Sequence, residues 1–137
     1  MNAQGGFYGN ALQAASHGGH NNIAELLLEK GENVNAQGGK YGNALQAASQ
    51  GGHNNIVELL LEKGANVNAQ GGFYGNALLA ASIKGYINTV ELLLEKGANV
   101  NVQGWFYETA LQAASTDGHE LMAMKLLWAC WLRKGQM

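Results

Sequence analysis

Residues 43–68 read NALQAASQGGHNNIVELLLEKGANVN, and the order of Asn, Gly and apolar residues in this stretch decides the fold. Asn43 is a good N-cap, because its side-chain oxygen can accept from the free backbone amides of a helix that begins at Ala44. A short helix, Ala44 to about Gln50, is expected, and Gly51 and Gly52 can take the left-handed conformation that ends it. A second helix is expected from about Asn55 to Lys63, stopped by Gly64. Its apolar residues Ile56, Val57, Leu59, Leu60 and Leu61 cover most of its circumference, so it must be buried between neighbours.

The stretch is one copy of a repeat. NAQGG begins at Asn2, Asn35 and Asn68, and a degraded NVQGW begins at Asn101, a spacing of 33 each time. Residues 2–34 and 35–67 differ at four positions, Phe7/Lys40, His17/Gln50, Ala24/Val57 and Glu32/Ala65. The unit 68–100 differs from 35–67 at seven positions, and the unit 101–133 keeps its first half while losing much of its second. The glycines and repeated Tyr ahead of each N-cap read as a hairpin projecting from the helix pair. Helices this short do not persist alone in water, so the units must stack, with Ala47, Ala48 and Ser49 allowing close approach and the leucines filling the space behind. The expectation is one all-α domain over 1–137, a quasi-one-dimensional solenoid of helix-turn-helix repeats with projecting β-hairpin loops.

These units resemble the ankyrin repeat. The family's Thr-Pro-Leu-His-x-Ala-Ala segment corresponds to NALQAAS at Asn10 and Asn43, to the same string with Leu79 for Gln at Asn76, and to TALQAAS at Thr109. Its Gly-His, Ile-Val-x-Leu-Leu-Leu and Gly-Ala-Asp-Val-Asn segments correspond to GHNNIVELLLEKGANVN from Gly52 to Asn68. Ala stands for the family's Pro, Gln for its His, and Tyr for the glycine of its hairpin. The Tyr-Gly-Asn-Ala-Leu-Gln variant in nearly identical tandem copies is similar to arrays in fungal multi-domain receptor-like proteins. The resemblance implies a protein–protein interaction scaffold whose targets meet hairpin tips and first helices.

Composition narrows the function further. The chain is 47% hydrophobic and 13% charged, with a formal charge of −2, so it is not a disordered tail, and its scattered Lys and Arg offer no stripe to track nucleic acid. No apolar run approaches the roughly 20 residues of a membrane span. Met1 leads into polar sequence without a secretory signal, and Cys130 is the single cysteine, which together predict an intracellular, cytoplasmic protein.

No active site, cofactor or metal is expected. His20, His53 and His119 share one repeat column at the start of the second helix, and His17 is replaced by Gln50 in the next copy. One Cys and periodic His do not make a convergent zinc set. QGGFYG lacks the Lys-Ser or Lys-Thr of a phosphate loop. Glu58 and Glu62 fall on the solvated side of a helix. Nothing here predicts an enzyme.

Two of the columns that differ between copies are expected where a partner can reach them. At the hairpin tip stand Phe7, Lys40, Phe73 and Phe106, beside Tyr8, Tyr41, Tyr74 and Tyr107; at the end of the first helix stand His17, Gln50, Ile83 and, in the last unit, Thr116. Exposed aromatics in a ladder are candidate anchors for a protein partner. Neutral drift at exposed positions predicts the same pattern, and the Tyr column also fits packing between adjacent hairpins. The last unit departs most, with Lys125 in a leucine register and Trp105, Trp128 and Trp131 toward its end. With no polar capping helix ahead of the first hairpin, these tryptophans predict either a segment of a longer array or a homo-oligomer that associates through its end repeats. An engineered repeat scaffold fits the close identity of the first two units but not the irregular third and fourth.

Overall fold

The computed structural model describes residues 9–99. They form six helices, α1 (Ala11–Gly18), α2 (Asn21–Glu29), α3 (Ala44–Gly51), α4 (Asn54–Glu62), α5 (Ala77–Lys84) and α6 (Ile87–Glu95). The first helix of each pair starts 33 residues after the last, at Ala11, Ala44 and Ala77, and the architecture among the described residues is all-α. The unit 101–133 lies outside them.

Each first helix is held at both ends by the residues expected to hold it. The side-chain oxygens of Asn10, Asn43 and Asn76 accept from the amides of Gln13, Gln46 and Leu79 at 2.9, 2.8 and 2.8 Å. At α1, Gln13 Oε1 also accepts from the Asn10 amide at 3.2 Å, closing a reciprocal box. Gly19, Gly52 and Gly85 end these helices in the left-handed region, at φ 76°, 70° and 76°. The expected pair of left-handed glycines at 51 and 52 resolves to Gly52 alone, because Gly51 still belongs to α3. The chain turns straight into the second helix, which has no side-chain cap and begins at Asn54, a residue earlier than the spacing predicts.

The helices stack in two rows. α1 packs on α3 and α3 on α5, more extensively than α2 on α4 or α4 on α6. Close packing of the first row follows from its small residues, and Ala47, Ala48, Ser49, Ala80, Ala81 and Ser82 are all fully buried. Ile56, Val57 and Leu60 of α4 fill the space behind them, with no exposed surface. Each such aliphatic side chain contributes about 1.5–3 kcal/mol through burial. Glu58 and Glu62 face solvent, as their register predicts.

The hairpins are minimal, each closed by one antiparallel bridge, Gly38 to Gly42 and Gly71 to Gly75. They are coupled to one another backbone against backbone. The Phe73 amide donates to the Lys40 carbonyl at 2.7 Å, and Gly72, at φ 68°, lies so close to the Tyr41–Gly42 peptide that a Cβ would sit 2.5 Å from Tyr41 C. Glycine is required there by conformation and by space together. Asparagines link the units farther along. Asn35 Nδ2 donates to the Gly64 carbonyl while its Oδ1 accepts from the Asn66 amide, and Asn68 repeats the pattern with Gly97 and Asn99.

Candidate interaction surface

The bodies of α3 and α5 are inaccessible, since Ala44–Ser49 and Ala77–Ser82 are buried. What remains open on that side is the ends of the first helices and the hairpin tips. His17, Gln50 and Ile83 are half-buried at the helix ends, and Lys40 and Tyr74 half-buried at the tips, with Phe73 38% exposed. Lys40, Phe73 and Tyr74 touch one another in a patch, and His17 joins them through Tyr41. Lys40 Nζ lies 5.7 Å from the ring centroid of Tyr41 and 5.5 Å from that of Phe73, within the range of a cation–π attraction. Phe73 meets Tyr74 edge to face, at 5.1 Å and 86°.

Tyr41 corrects the expectation of an exposed aromatic ladder, because it is only 5% exposed. Its ring stacks on His17 with centroids 4.6 Å apart, and its hydroxyl is hydrogen-bonded to His17 Nε2 at 2.9 Å. It therefore supports the surface from beneath. Of the two readings the sequence left open for the Tyr column, packing holds at this position. Phe7, Tyr8, Trp105, Phe106, Tyr107, Trp128 and Trp131 lie outside the described residues.

His53 joins the patch from the next unit. Its Nε2 lies 2.9 Å from the His17 carbonyl oxygen, and since a carbonyl only accepts, the Nε2 carries the proton. The His53 ring also covers Gly19, where a Cβ would stand 2.7 Å from it. His53 thus fastens one unit to the one before it. His17 itself titrates below the ordinary histidine value, chiefly because it is desolvated, with the charges of His53 and Lys40 acting the same way and a hydrogen bond donated to the Gln50 side chain opposing them.

The residue columns also place the carboxylates in one layer, together with Lys30, Lys63 and Lys96 at the ends of the second helices. All seven carboxylates among the described residues lie on second helices or just after one, namely Glu25, Glu29, Glu32, Glu58, Glu62, Glu91 and Glu95. Among the described residues the hairpins and first helices carry Lys40 and Lys84 and no carboxylate, whereas the same sequence columns of the last unit hold Glu108 and Asp117. This division was readable from the sequence once the helix pairs were placed, and Lys84 was missed because it stands in a glycine column. No three His, Cys, Asp or Glu residues converge as a metal set among the described residues, and no helix there is long and apolar enough to cross a membrane.

A family profile described as Ankyrin repeats (3 copies) matches residues 1–71, and one described as Ankyrin repeat matches residues 76–105. The chain belongs to the ankyrin repeat family. Ankyrin repeats are in general non-catalytic domains that bind protein partners, and the patch lies on the side of the solenoid that carries the variable columns. A stretch of 34 residues is 63% identical to azaphilone pigments biosynthesis cluster protein L of Monascus ruber, which covers 25% of this ankyrin chain and 7% of that protein. The chain therefore spans less than a tenth of the length of that relative.

One apolar feature stands apart from the patch. Ile23 and Leu26 of α2 are 51% and 52% exposed, whereas Ile56, one repeat later, is fully buried. This difference is not legible in the residues, since NNIAELLLE and NNIVELLLE are nearly the same string. Only the position of the unit in the stack separates them.

Proposed function

We propose that this ankyrin chain is a non-catalytic interaction module that holds a protein partner against the patch of hairpin tips and first-helix ends, at Lys40, Phe73, Gln50, Ile83 and His17. Tyr41 and Tyr74 act as supports, and Phe7, Tyr8, Phe106 and Tyr107 extend the same columns. The observation that carries the reading is that positions 40/73 and 17/50/83 change between copies and remain reachable by solvent at the hairpin tips and first-helix ends, where a partner can meet them, whereas the changes at 24/57, 46/79 and 56/89 are buried. Variation placed on a rigid frame is how a repeat scaffold acquires a specific surface. The lone Cys130 supports an intracellular setting.

A photo-crosslinking residue placed at 73 in cells tests this reading against the same residue placed at 58 on the opposite row. Adducts at 73 that disappear on Ile83→Asp are the expected result. Adducts at 58 alone would place the partner on the second helices and overturn it.

The exposure of Ile23 and Leu26 favours a second reading, association through an end of the stack. Under it, sedimentation shows mass rising with concentration, and the pair Ile23→Glu and Leu26→Glu abolishes the rise while helicity is kept. Polar replacements of Trp128 and Trp131 test the other end. A monomer at every concentration removes this reading.

A further inference from the structure

We propose that the interaction patch is pH-sensitive, assembled for its partner while the His17 imidazole is neutral and loosened when that ring takes up a proton. This rests on the interaction reading above and adds its regulation. Three observations support it.

The first is the place of His17 in the patch. Its ring stacks on that of Tyr41 with centroids 4.6 Å apart, and its Nε2 lies 2.9 Å from the Tyr41 hydroxyl. Tyr41 in turn supports two hairpin tips. Lys40 Nζ lies over the Tyr41 and Phe73 rings, the Tyr41–Gly42 peptide lies against Gly72, and the Phe73 amide donates to the Lys40 carbonyl. A change at the His17 ring therefore reaches Lys40 and Phe73 through Tyr41, and reaches Gln50 directly.

The second is the match of donors and acceptors around the ring. His17 donates to the Gln50 side chain, and since a neutral imidazole has one N–H, Nε2 is left to accept the Tyr41 hydroxyl proton. Protonation puts an N–H on Nε2 as well, facing that hydroxyl. The Tyr41 oxygen must then accept and turn its own proton into buried surroundings, which weakens the seat of the tip. Titratable groups face His17 from two further elements, His53 at the start of α4 and Lys40 on the hairpin, and their charges act against a cation there, while Gln50 of α3 acts for it. The His20 ring, just ahead of α2, lies over Gly18, the residue after His17. The third observation is the repeat column. At this position the other copies hold Gln50, Ile83 and Thr116, none of which titrates, so the device belongs to the joint of the first two units. His17 is half-buried at the surface, and a partner lying over it strips the water that a charged ring needs. Binding thus favours the neutral ring, and by linkage affinity falls as the ring is protonated. Desolvation of His17 in the free chain already lowers its titration, so binding is kept at neutral pH and lost in mildly acid solution.

The test uses histidine-free peptides selected at neutral pH, from a library of random displayed sequences, on the intact immobilised chain. Their affinities are measured at about pH 7.5 and about pH 5.5, the span over which histidine titrates, for wild type, His17→Gln and His53→Gln, with circular dichroism confirming that each variant folds. The quantity compared is each variant's own ratio of the two affinities, which does not depend on what the substitution does to binding at neutral pH. The expected result is a fall of roughly three- to tenfold in wild type, kept in His53→Gln and reduced to less than about twofold in His17→Gln. In the chain without peptide, the amide shifts of Lys40, Tyr41 and Phe73 should follow the same titration and lose it in His17→Gln, and this measurement decides the matter should that variant bind no peptide. An equal fall in wild type and His17→Gln, no fall in wild type, or a fall that vanishes only in His53→Gln overturns this inference and leaves the interaction surface standing. If no peptide binds wild type at neutral pH, both readings fall.

Discussion

Glu32 occupies the column held by Ala65 and Ala98, and it is 5% exposed with both carboxylate oxygens unpartnered. Withdrawing a carboxylate from water without a hydrogen-bond partner is costly. Glu32→Ala, the residue already used at the two equivalent positions, is therefore expected to stabilise the chain by about 1–3 kcal/mol, read as a higher urea midpoint at unchanged slope. The substitution was visible when the first two units were compared, but its burial was not, because burial at this column depends on packing between elements. His17 gives a prediction with a sign. Its folded-state titration lies below the ordinary histidine value through desolvation and the neighbouring His53 and Lys40 charges. The unfolded chain thus takes up a proton more readily, so the stability His17 contributes is present above the ordinary histidine range and is lost as pH falls through that range toward the folded value. His17→Gln, which copies Gln50 of the next unit, should reduce the fall in urea midpoint between neutral and mildly acid pH relative to wild type.

The ends of the first helices were legible because caps are local chemistry. Asn10, Asn43 and Asn76 cap α1, α3 and α5 through bonds reaching three residues along the chain, and Asn43→Ala should cost about 1 kcal/mol. The hairpins were legible as turns but not as a stack. Gly31 and Gly72 both have left-handed backbones, yet nothing lies within 4 Å of a Cβ at Gly31, while at Gly72 the Tyr41–Gly42 backbone is 2.5–2.7 Å away. Gly31→Ala should therefore cost about 1–2 kcal/mol from conformation alone. Gly72→Ala should cost more and should also speed amide exchange at Phe73, whose amide donates to the Lys40 carbonyl. Equal costs would mean that the hairpins do not rest on one another. Tyr41 belongs to the same lesson. A Tyr in a Gly-rich loop reads as exposed, and only the contact with His17 of the preceding unit turns it inward.

For the whole molecule, repetition made the architecture readable from sequence, because one unit that cannot bury its own leucines implies a stack. Burial does not repeat with the sequence, and Ile23 against Ile56 shows it, one half-exposed and the other fully buried on nearly the same string. We place the interaction surface at the hairpin tips and first-helix ends, and amide chemical-shift mapping of the intact labelled chain with a peptide selected on it tests that placement. Shifts centred on His17, Lys40, Gln50, Phe73 and Ile83, with Glu58, Glu62 and Glu95 unmoved, are the predicted result, and shifts confined to the second helices would contradict the account.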